Sequence, residues 1–117
     1  MIMALTRFKL VFFVPKENTR AVLSHLFSKF PNNLGKIGNY EQCAFIQRGT
    51  GQFKPVNGAN PTIGSVGDLE QVEEDRLEIT LNDNEKAGKT VRSVVNELKS
   101  VHPYEEVAYD VYKLEDF

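Results

Sequence analysis

The stretch FKLVFFVPKENTRAVLSHLFSKF, residues 8–30, decides how the rest of the chain is read. It opens with aromatic and β-branched residues, five of them (LVFFV) continuously apolar, and Pro15 closes the run. That predicts a strand over Phe8–Pro15. Strand alternation puts Phe8, Leu10, Phe12 and Val14 on one face and Val11 and Phe13 on the other. A strand apolar on both faces is central in its sheet, or meets another subunit with its second face. From Lys16 the period changes. Val22, Leu26 and Phe30 recur every fourth residue, with Leu23 and Phe27 beside them, which predicts an amphipathic helix over Lys16–Phe30. Glu17 suits the positive end of that helix and Lys29 the negative end. Pro31 and the two asparagines after it stop it.

The same grammar returns near the other end. NDNEKAGKTVRSVVNELKSVHP, residues 82–103, holds a second helix with an apolar stripe of Val91, Val94, Val95, Leu98 and Val101. Asn82 followed by Glu85 has the form of a capping box, and Pro103 ends the segment. EVAYDVYKL, residues 106–114, reads as a final strand. Between the halves, YEQCAFIQR (40–48) has strand character. GTG then reads as a turn and QFKPV as a short return strand, a hairpin around Gly49–Val56. NGANPTIGSVG (57–67) is loop by composition. DLEQVEEDRLEITL (68–81) resumes a strand with Leu77, Ile79 and Leu81 inward and Glu78 and Thr80 outward; its acidic run reads as a solvated face. The order β-α-β-β-α-β predicts an α+β, ferredoxin-like fold: an antiparallel sheet, two helices on one face, and the hairpin added. The uncovered face, carrying Val11 and Phe13, is expected to be a subunit interface.

Composition sets the outer limits. The 117 residues read as a single domain, 41% hydrophobic and 26% charged, enough for a core without metal or disulfide support. A net charge of −2 gives no footprint for nucleic acid. The single cysteine, Cys43, falls mid-strand and reads as a small buried hydrophobe; a lone cysteine fits a reducing, cytoplasmic location. LVFFV is too short for a secretion signal or a membrane span, and the first residues read as carrying no targeting segment.

Two places could carry chemistry. His102, one of two histidines, ends the second helix beside Glu105 and Glu106. It could cap the helix, bind a ligand or metal at a subunit junction, or act as a general acid or base; no nucleophile stands in a recognisable setting beside it. The glycines of GTGQF and NGANPTIG permit turns and close backbone approach, and exposed amides there could hold an anion with Arg48 as partner. The endings that mark a phosphate loop or a dinucleotide site are missing, and no cofactor is expected.

Two of these segments together resemble a known family. GTGQFKPVNGANPTIGSVGDLEQVEEDRLE, Gly49–Glu78, and HPYEEVAYDVY, His102–Tyr112, look like the two signatures of the domain inserted into many bacterial Nif-three-like proteins. HPYE is also similar to a tetrapeptide of CutA-type proteins. The resemblance implies a CutA/PII-like domain: ferredoxin-like, trimer-forming and small-molecule-binding. The family's paired-metal site lies in a flanking domain and has no counterpart in this sequence, so its hydrolase association is not carried over. Val107 stands where the family pattern has proline. The resemblance implies that the two signatures meet. The expected non-catalytic ligand site is Arg48, Gly49, Gly51, Phe53, Asn60, Pro61 and Gly64 against His102, Tyr104, Glu105 and Glu106. Its expected ligand is a small anion, bound within a homo-oligomer, with no nucleic-acid or membrane partner. Two rival readings remain: CutA-like metal binding through His102 and Glu105, and a ligand-free domain that docks on a partner protein.

Overall fold

A computed structural model describes residues 6–117. The expectation about a targeting segment falls on the first residues and lies outside that range. Four strands and two helices follow one another as β1 (Thr6–Pro15), α1 (Thr19–Lys29), β2 (Phe45–Phe53), β3 (Glu70–Asp83), α2 (Lys89–Val101) and β4 (Tyr109–Leu114). The sheet order is β2-β3-β1-β4, and every neighbouring pair is antiparallel. This is the ferredoxin-like arrangement, with the strongly apolar β1 in the centre.

The core lies between the sheet and the helices. Leu10, Phe12 and Val14 of β1 pack with Leu77, Ile79 and Leu81 of β3, and Val22, Leu26, Val94 and Leu98 close over them from the helices. Every one of these side chains is at most 1% exposed. Burial of this kind stabilises by roughly 1.5–3 kcal/mol per large side chain. A second tie joins the helices at the surface, where Glu97 meets His25 Nε2 at 2.8 Å and Lys29 Nζ at 3.2 Å. Among the described residues no helix is long and apolar enough to cross a membrane.

Four sequence expectations are corrected. First, there is no hairpin at Gly49–Val56. GTG lies inside β2, paired without interruption from Phe45↔Glu78 to Phe53↔Glu70. Gly51 is there for close approach rather than for a turn: a Cβ on it would collide with the Glu74 carboxylate, whereas one on Gly49 would meet nothing. Secondly, residues 40–44 are not strand. Gly35, at φ +74, has no room for a Cβ beneath the Phe27 ring, and its carbonyl accepts the Cys43 N–H at 2.9 Å. This contact folds the segment back, so Cys43 is half-buried ahead of β2 rather than mid-strand. Thirdly, Asn82 makes no capping box. Asp83 takes the part, accepting Glu85 N–H at 2.8 Å and Val91 N–H at 3.0 Å, because α2 begins only after a tight turn at Lys86–Gly88. Fourthly, Val11 on the helix-free face is only 3% exposed, since Glu78 and Asp110 flank it in register. The large apolar groups open on that face are Phe45 at 61% and Tyr112 at 53%.

Candidate functional site

β1 outruns its neighbour. The β4 pairing ends at Phe12↔Tyr109, one residue short of Phe13. Phe13 N–H donates to Ala108 O at 3.2 Å, but its carbonyl needs another donor, and His102 supplies it through Nε2–H at 2.7 Å. The helix end puts the ring there. His102 N–H still donates to Leu98 O at 3.0 Å, while its φ of −74° and ψ of 139° are extended, as the residue before a proline requires. The other ring nitrogen, Nδ1, accepts Tyr104 N–H at 3.1 Å. The ring is therefore the neutral Nε2–H tautomer with both nitrogens engaged. Burial pushes its pKa below the usual histidine value, against the opposing pull of the Phe13 carbonyl and Glu74. His102 has no lone pair left for a metal. Among the described residues no group of three or more His, Cys, Asp or Glu is placed to hold one.

The turn after Pro103 then meets the glycine-rich loop. Glu105 Oε1 accepts Asn60 N–H at 2.9 Å, and Thr62 Oγ1 donates to Pro103 O at 2.8 Å. Tyr104 packs against the rings of His102 and Phe53, with centroids 5.2 and 5.9 Å away. Its hydroxyl donates to Glu74 Oε2 at 3.0 Å. Burial and that carboxylate raise the phenol pKa, so it remains a donor. Val107, the departure from the family pattern, packs against the core behind the turn.

Between loop and turn, at the end of the helix-free face, is a cavity of about 430 Å³. Gly51, Phe53, Pro61, Tyr104, Glu105 and Glu106 line it, together with Phe13, Lys54 and Glu74. Asn60 is tied to its rim through Glu105, and His102 braces it from behind. The remaining candidates do not line it, although the depression beside Arg48 shares Phe13, Gly51 and Glu74 with it. Gly64 makes a left-handed turn at φ +88 beside Glu70. Arg48 and Gly49 border a smaller depression of about 250 Å³. Arg48 Nε is engaged by Asp75 Oδ1 at 2.6 Å, which holds the Asp75 carboxyl below the usual carboxylate range. The cavity wall itself carries three acids against one lysine. Sequence reasoning missed Glu74, hidden in the acidic run; the glycine two residues along in the neighbouring strand is the mark that a side chain must lie across that position.

No protein-family model matches the chain. Individual relatives do match. The GTP cyclohydrolase 1 type 2 homolog of Bacillus subtilis (strain 168) is 44% identical over 107 residues, 92% of this chain. The crystal structure of a Bacillus cereus protein related to NIF3 superposes on 98% of the chain with TM-score 0.76 and 37% identity. The chain is similar to one domain-sized stretch of Nif-three-related proteins. The chain spans only 26% of the Bacillus subtilis relative and 27% of the Bacillus cereus chain. Its fold recurs in the divalent ion tolerance protein CutA1 from Ehrlichia chaffeensis, at TM-score 0.67 and 13% identity, covering 98% of this chain and 87% of that one. It recurs also in the Bacillus subtilis GlnK–ATP complex, at TM-score 0.53 and 15% identity, covering 97% and 85%. CutA-like and PII-like therefore describe its architecture.

Proposed function

We propose that this domain is a non-catalytic binding module whose ligand occupies the cavity between the loop at 54–63 and the turn at 102–106. The supporting observation is the cavity: about 430 Å³, walled by aromatic groups with a few polar ones, and built where the two signature segments meet. That is the size and make-up of small-molecule sites. The activity in the relatives' name belongs, in this reading, to the roughly three quarters of their length that this domain does not match. A fragment screen read by amide NMR tests the idea. Hits should move the amides of Gly51, Phe53 and Tyr104 first. Hits that move only residues around Phe45 and Tyr112 would transfer the function to a docking face. We propose also that the domain self-associates as a homo-oligomer, through the helix-free face that exposes Phe45 and Tyr112. Native mass spectrometry giving only monomer at micromolar concentration would dispose of that.

A further inference from the structure

Glu74 is the odd group in the cavity wall. It is 9% exposed, yet among the described residues it forms no salt bridge, and three of the cations near it are taken by other acids. Lys16 goes to Glu73, Arg48 to Asp75 and Arg76 to Glu78. Among the described residues its side chain makes one hydrogen bond, accepted by Oε2 from the Tyr104 hydroxyl. Oε1 lies over Gly51, where a larger residue would displace it, and no donor among the described residues reaches it. No buried polar side-chain atom is left unsatisfied among the described residues, so the free oxygen opens into the cavity rather than into the core.

A carboxylate in that setting is costly unless something positive meets it. The surroundings add to the demand. Glu105 and Glu106 bring further negative charge to the rim, and the phenyl and phenol faces of Phe13, Phe53 and Tyr104 favour a cation lying over them. Lys54 is the single opposing charge in the wall.

We infer that the cavity recognises an organic cation: a small molecule with an apolar or aromatic body and a protonated amine or amidine. The N–H groups donate to Glu74 Oε1, and the body packs on Phe53 and Tyr104. Tyr104 is the positioning residue, holding the carboxylate through Oε2 so that Oε1 faces the ligand. The inference rests on the binding-module reading above and adds the sign of the ligand's charge.

The test titrates the intact domain with three probes of similar size, benzamidine, 2-phenylethanol and phenylacetate, and follows amide shifts of Gly51, Phe53 and Tyr104. Benzamidine is expected to bind best. Glu74→Gln, nearly isosteric and free to keep the Tyr104 contact, should weaken it by about tenfold, equivalent to about 1.4 kcal/mol. Tyr104→Phe should weaken it by less, which guards against a folding defect in the first variant. If phenylacetate or phenylethanol occupies the cavity as well as or better than benzamidine, the charge assignment is wrong while the binding reading stands. If none of the three moves a cavity amide at millimolar concentration, both fail.

Discussion

Glu74 and Asp75 are neighbours in β3, both acidic and both buried, at 9% and 3% exposure. The pleat sends them to opposite faces, and there they differ. Asp75, on the helix side, accepts Thr19 Oγ1–H at 2.6 Å and Arg48 Nε–H at 2.6 Å. It joins the start of α1 to the edge strand, and both oxygens are used. Glu74, on the open side, has a tyrosine hydroxyl on one oxygen and a glycine beneath the other. The first carboxylate holds the fold together; the second is held by the fold and left incomplete. Burial alone does not make a site: an unused hydrogen-bonding position facing open space does.

Four measurements would break or sharpen this contrast. The largest effect is expected from Asp75→Ala, which leaves the Thr19 hydroxyl without its partner and frees Arg48. It should lower stability by about 2–3 kcal/mol in urea unfolding. A loss no larger than that of a surface alanine substitution would erase the distinction between the two faces.

Next comes His102→Ala, which strands the Phe13 carbonyl beyond the end of β4. A cost of about 2 kcal/mol is expected. Glutamine at the same place, whose amide can still donate, should recover about half of it. If glutamine and alanine behave alike, the ring acts by packing and not as a donor.

A smaller effect is expected from pH. His102 has a depressed pKa in the folded state, so the unfolded chain takes up its proton first as acid is added. Its contribution is fully present above the ordinary histidine value of about 6.5 and is lost as pH falls from there toward the folded value. Asp75, also depressed, adds its loss only below the ordinary carboxylate value near 3.8. Unfolding curves between neutral and mildly acid pH should slope downward in the wild type and less so in His102→Gln. Equal slopes would assign the upper limb to other groups.

The smallest change in stability should come from Glu74→Gln, within about 0.5 kcal/mol of wild type and of either sign, because neutralising a carboxylate that lacks a cation relieves as much as it removes. A loss comparable to that of Asp75→Ala would mean that Glu74, too, is part of the framework.

Much of this protein could be read without a structure. The central strand at Phe8–Pro15, both helices, the inward set Leu77, Ile79 and Leu81, and hence the ferredoxin-like order, follow from hydrophobic period, a property each segment carries by itself. The resemblance of Gly49–Glu78 and His102–Tyr112 to Nif-three-like signatures was equally local. Other features were decided only by partners far along the chain. GTG looks like a turn until β3 is laid beside it, when Gly51 becomes the space for Glu74. His102 looks like a cap or a ligand until β1 outruns β4 and offers it a carbonyl 89 residues away in sequence. The acidic run looks solvated throughout, yet strand pairing buries two of its members and satisfies only one. Periodicity reports which side of an element faces inward; it carries no record of which group waits there, because that is set by register across the sheet.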